Sequence, residues 1–211
     1  MGVRVLGVHG HHRALVLVAL EFIELGYDSV SGDPGALANP GAFRDLLSEL
    51  LTEKLAPLLE TDLDVPDLDR VVLGSFSGGY NAAALIAQAG GVELHEIDLY
   101  DSLYGNMQTF EAWLQADIAS FDGSTEGRRF VDVYSASAGT SDNSQELAAL
   151  VTEHMTAAGL ASQMLDDGTT EPLQAEDHAV IFKYASGTTV DVPRTYFGAL
   201  ARASGFAPLT P

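Results

Sequence analysis

Val71-Val72-Leu73-Gly74-Ser75-Phe76-Ser77-Gly78-Gly79-Tyr80-Asn81-Ala82 is the stretch on which the fold turns. Its first residues are apolar and partly β-branched, which predicts a buried strand over Arg70 to Gly74. Very small residues follow, and then an alanine-rich run to Ala89 that predicts a helix closed by Gly90-Gly91. A buried strand, a tight turn and a helix make the first half of a parallel crossover unit.

The same alternation runs outward in both directions. Val3 to Val8 reads as a strand, Arg13 to Leu25 as a helix, and Tyr27 to Val30 as a weak strand. Phe43, Leu46, Leu47, Leu50, Leu51, Leu55 and Leu58 recur at steps of three and four, one face of an amphipathic helix. Downstream, strands are expected at Leu94 to Tyr100, Phe130 to Ser135 and Ala179 to Lys183. Helices are expected at Met107 to Ile118, Gln145 to Ala158 and Pro193 to Ala203, with Gly159 to Asp177 mostly loop. No stretch resembles a linker. The expected fold is a single-domain three-layer α/β/α sandwich over 1–211, with a mostly parallel, doubly wound sheet. In such sheets, sites form at the carboxyl ends of the strands.

Thirty acidic residues face ten basic ones, a formal net charge of −20, and Lys54 and Lys183 are the only lysines. Such a surface repels phosphate backbones and disfavours nucleic acid and anionic membranes as partners. It also fits a halophilic protein, whose self-repulsion is screened by salt. With no cysteine, thiol chemistry and disulfides are excluded. No apolar run reaches the length of a membrane span, and no signal peptide opens the chain. The expectation is a soluble, cytoplasmic protein, with secretion left open.

Ser75-Phe76-Ser77-Gly78-Gly79 resembles the G-x-S-x-G nucleophile elbow of the α/β-hydrolase superfamily, with Ser75 in place of the first glycine. The resemblance covers most of the chain and is to the small, cutinase-sized members. It implies that Ser77 is the nucleophile of a serine esterase, that the Gly78 N–H donates to the oxyanion, and that acid and histidine follow in that order. His178, after a long polar loop and before the last strand, is then the base. Asp101, ending its strand, is the acid, with Asp142 in the next loop as alternative. His95 opens its strand and so lies at the wrong edge. His9-Gly10 resembles the start of the loop that gives a second oxyanion donor, here the N–H of His11. Tyr80, Phe76, Tyr104 and Trp113 could line an acyl pocket, and 104–129 has the length of a short lid.

The implied activity is hydrolysis of a small-molecule or polymeric carboxylic ester through an acyl-enzyme, with no cofactor and no metal. Two alternatives stand beside it. His9, His11 and His12 could instead ligate a metal in a metal-dependent hydrolase. Or the chain could be a non-catalytic, flavodoxin-like binding module. The sequence leaves oligomeric state and substrate open.

Overall fold

The computed structural model describes residues 2–6, 15–19, 34–136, 139–168 and 178–204. At its centre is a five-stranded sheet, all parallel, built from β3 (Val72–Phe76), β4 (Glu96–Tyr100), β5 (Arg129–Ser135), β6 (Met164–Asp167) and β7 (Val180–Ala185) in the order β3-β4-β5-β7-β6. The connecting helices are α3 (Tyr80–Ala89), α4 (Met107–Ala116) and α5 (Ser141–Ala157), with α6 (Asp191–Ala203) after the last strand. Parallel neighbours need such crossovers because each strand must be re-entered from the same end. β3, β4 and β5 follow one another across the sheet, β6 takes the edge beyond them, and the chain then reverses direction to place β7 between β5 and β6.

Alternate residues of each strand feed two cores. Ile97, Leu99, Phe130, Tyr134, Val180 and Phe182 meet Ala83, Ile86, Phe110, Leu114, Leu147 and Val151 on the side of α3, α4 and α5. Tyr100, Val131, Val133, Ile181 and Ala185 meet Val192, Tyr196 and Leu200 of α6 on the other. Helices therefore cover both faces, as the near-continuous apolar strands require. Small residues at Ala82, Ala83 and Ala84 let α3 lie close against the sheet. The turn after α3 is held from outside: Gly41 N–H donates to Ala89 O at 2.7 Å and Arg44 N–H to Gly90 O at 2.9 Å.

Four expectations are corrected. Within the span expected as a helix, Leu15–Ala19 is a strand, β2, paired antiparallel with β1 (Gly2–Leu6) in a separate two-stranded sheet. Leu15-Val16-Leu17-Val18 alternates β-branched residues, which suits a pleated ribbon as well as a helix. Met164–Asp167, read as loop, is the edge strand β6. It is short and carries two acids, a composition common at sheet edges, and only its ladder with β7 reveals it. The amphipathic helix exists as α1 (Ala42–Leu50), a π turn over Leu51–Leu55, and α2 (Ala56–Leu59). The π turn shifts the register, so Leu58 is 70% exposed while Leu50, Leu51 and Leu55 are buried. Finally, 104–129 is no lid: Phe110, Leu114 and Phe121 are sealed in the core, and the segment is the crossover from β4 to β5. The weak strand expected at Tyr27 to Val30 lies outside the described residues.

Candidate functional site at the carboxyl edge of the sheet

Three loops leave the carboxyl edge close together: β3–α3 with Ser77, β4–α4 with Asp101 to Asn106, and β7–α6 with Thr189. Ser77 has φ +49°, a left-handed conformation that costs an L-residue energy and is held only where surroundings impose it. It opens a single 3-10 turn, Ser77–Gly79, whose end runs into α3. The Gly78 N–H therefore lies at a helix N-terminus, where partial positive charge favours a developing anion.

The residues around Ser77 show how the turn is fixed. Ser102, fully buried, donates its hydroxyl to Ser77 O at 2.8 Å. The Ser75 hydroxyl lies 2.6 Å from that of Ser102 and must be the donor there, since Ser102 has already used its proton. Ser75 thus belongs to a hydroxyl relay that grips the turn from below. A side chain at Gly79 would place its Cβ 3.1 Å from Ser75 Oγ, which explains why that position is bare. Ser77 itself is only half-buried and can be reached.

Asp101 has φ +48° and is wholly buried. Its carboxylate accepts from Ser135 N–H at 3.0 Å, from Ser135 Oγ at 2.6 Å and from Thr140 Oγ1. These bonds join the end of β4 to the end of β5 and to the residue that precedes α5. The loop beyond is pinned on both sides: Asn106 Nδ2 donates to Asn81 Oδ1 of α3 at 3.1 Å, and Asn143 Nδ2 of α5 to Leu103 O at 2.9 Å. This loop carries Tyr104 to the site. The Tyr104 ring lies 5.9 Å from that of Tyr80, which fills the space beside Gly105. Burial raises the Tyr104 phenol above its ordinary pKa, and the hydroxyls of Ser77 and Thr189 face it.

His178 is not at this edge. It stands two residues before β7, next to Ala179, whose N–H bonds to Gln163 O and whose carbonyl accepts from Phe130 N–H. In a parallel sheet the residue before a strand lies at the amino edge. Six residues of β7 at about 3.3 Å each put roughly 20 Å between that edge and the loops around Ser77. The rule that set His95 aside sets His178 aside as well. His95 Nδ1 accepts from Val71 N–H at 3.3 Å, and burial lowers its pKa. His154, in the last turn of α5, pairs with Glu111 at 3.2 Å. Hence no histidine among the described residues reaches Ser77; His9, His11 and His12 lie outside them.

Asp142 is exposed in the first turn of α5 and Thr140 holds the N-cap position. Trp113 sits near the far end of α4, edge-on to Phe121 at 5.6 Å and under the Arg128 guanidinium at 5.5 Å, so it does not line the Ser77 site. Phe76 is 42% exposed beside Ser77; its cross-strand neighbour Tyr100 packs against Phe197 at 6.1 Å. Phe76, Phe197 and Val190 give the carboxyl edge an apolar rim. Sequence reading missed Ser102, Ser135, Thr140 and Thr189. Their signal was hydroxyl residues at or a few positions beyond strand ends, too common to stand out.

Among the described residues, no three His, Cys, Asp or Glu side chains are grouped to hold a metal ion, and no helix is long and apolar enough to cross a membrane. Fold and site define an α/β protein with a hydroxyl-lined site at the carboxyl edge of a parallel sheet. Comparison with models of protein families, with curated proteins and with solved structures found no match.

Proposed function

We propose that the chain is a serine-dependent acyl hydrolase, with carboxylic esters as its substrate class and Ser77 as its nucleophile. The observation that carries this reading is the left-handed backbone at Ser77, in a strand-to-helix turn whose small neighbours and hydroxyl relay hold it there. Strain of this kind in a reachable, hydroxyl-bearing residue is retained where it serves chemistry. Attack by Ser77 Oγ on the ester carbonyl would build negative charge beside the Gly78 N–H. The apolar rim of Phe76, Val190 and Phe197 suits an acyl chain, and the net charge of −20 favours neutral or cationic substrates over anionic ones.

Asp101 and His178 do not form a triad with Ser77 in this reading. Asp101 is engaged in the clamp that holds the loops, as a positioning residue. The base has to come from the segment with His9, His11 and His12, or the serine is not activated. That second case is the competing reading, a binding module of the same fold, and it is favoured by the position of His178 at the opposite edge.

A fluorophosphonate probe, applied to the wild type and to Ser77→Ala at low and molar salt, separates the two. An adduct located on Ser77 by mass spectrometry, absent from the variant, supports the hydrolase. A folded protein that takes no label in any salt leaves the binding module. If Ser77 is labelled, His9→Ala, His11→Ala and His12→Ala identify the base by loss of the adduct.

A further inference from the structure

Tyr104, on the β4–α4 loop, has its phenol beside the Ser77 side chain, while Ser102 of the same loop holds the Ser77 carbonyl. Its placement is built rather than incidental. Asp101 anchors the start of the loop through three hydrogen bonds, Asn143 holds Leu103, and Asn106 ties the end to Asn81 of the nucleophile's own helix. The Tyr80 ring packs against the Tyr104 ring and would be met at 3.2 Å by any side chain at position 105. The phenol faces the hydroxyls of Ser77 and Thr189, both half-buried like itself.

We propose that the Tyr104 hydroxyl is the second oxyanion donor of the site, acting with the Gly78 N–H on the oxygen that becomes negative when Ser77 attacks an ester carbonyl. This rests on the reading of Ser77 as nucleophile. The oxyanion forms one carbonyl bond away from the carbon that Ser77 Oγ joins, so a donor facing Ser77 Oγ from the side is within reach of it. The phenol gives a hydrogen bond and keeps its proton, so the step needs no further acid: the Ser77 oxygen forms the new bond to carbon, and the carbonyl π pair becomes the oxyanion. Burial keeps this phenol protonated through neutral and mildly alkaline pH, as a donor requires. A side-chain hydroxyl in this role would take the place expected for the N–H of His11. Thr189 orients the phenol from the β7–α6 loop.

The test compares wild type with Tyr104→Phe, which keeps the ring against Tyr80 and removes only the hydroxyl. Short-chain p-nitrophenyl esters give kcat and KM, a fluorophosphonate gives the rate of Ser77 labelling, and the thermal midpoint checks the fold. Losing one oxyanion donor costs about 10²- to 10³-fold in kcat. The expected result is a fall of that size in kcat, with KM within about threefold and labelling slowed in parallel. A loss below about tenfold in kcat, or a change confined to KM, overturns the assignment and makes Tyr104 a wall of the acyl pocket. If the wild type forms no Ser77 adduct, the Ser77 reading itself falls, and the Tyr104 assignment with it. The two failures are told apart by the wild-type arm alone.

Discussion

Asp132 offers a test of the core that is independent of any activity. It lies in the middle of β5, wholly buried, on the face covered by α5. Among the described residues, neither carboxylate oxygen meets a donor in hydrogen-bonding geometry, and Ser144 Oγ on α5 is likewise unmatched. Burial pushes the carboxyl up to about 7; the Ser144 hydroxyl offsets a part of this, and the Asp101 charge adds to it. In the unfolded chain the group titrates near 3.8. Between those values the folded state holds a proton that the unfolded state has released. Stability must therefore fall as pH rises from about 4, and the loss is complete above about 7. At about 1.36 kcal/mol per unit, a gap of about three units amounts to ~4 kcal/mol at alkaline pH, of which roughly 2.5 kcal/mol develops between pH 5 and pH 8.5.

Asp132→Asn has nearly the same shape and cannot ionise. At pH 5 it is expected to be equal to wild type or less stable by about 1–3 kcal/mol, because the amide brings unmatched donors into the core. Relative to wild type it should then gain roughly 2.5 kcal/mol on going to pH 8.5. Urea unfolding of both proteins at the two pH values, at fixed molar salt, measures this double difference, and the carboxylates that do not interact with Asp132 cancel from it. A difference that does not change with pH would refute the reasoning, since it would mean that Asp132 carries its charge in the folded state without cost.

The remaining predictions concern the site loops and the surface. Ser77→Gly should stabilise the protein by about 1 kcal/mol, because glycine adopts positive φ freely, while abolishing probe labelling; a destabilised variant would mean that the Ser77 backbone is not strained. Thr140→Val removes one of the hydrogen bonds to the buried Asp101 carboxylate and should cost about 1.5–3 kcal/mol in urea unfolding. An effect under 0.5 kcal/mol, by about the usual scale of surface substitutions, would show that the clamp is slack. With 30 acidic against 10 basic residues, the thermal midpoint should climb steadily from low to molar salt; a flat or falling curve removes self-repulsion as a determinant of stability.

Much of the sheet was legible because its signals are local. The runs at Val72, Glu96, Arg129 and Val180 are apolar, bounded by turn residues and separated by helical periodicity, so each could be placed to within about two residues of its observed position. Ser77 was legible for the same reason: the requirement for small residues around a sharp turn is written in the residues themselves. Met164–Asp167 was not, because two of its four residues are acids and its strand character comes from pairing with β7. Nor was β2, where alternation and helical periodicity compete over a few residues.

The histidine shows the boundary most clearly. Chain order after the serine made His178 the natural base, yet order along the chain does not fix the edge of the sheet on which a residue falls. In a parallel sheet every strand points the same way, so a residue just before a strand and one just after it are separated by the whole strand length. The sequence by itself determined the strand-to-helix turn at Ser77, the parallel α/β character and the acidic surface, because each depends on neighbours in the chain or on composition. Only the tertiary structure decided that Asp101 is consumed by Ser135 and Thr140, that His178 lies at the far edge, and that Ser77 and Thr189 both face Tyr104. Those contacts join residues from 27 to 85 positions apart, and no local pattern encodes which side chains meet across loops that the sheet alone brings together.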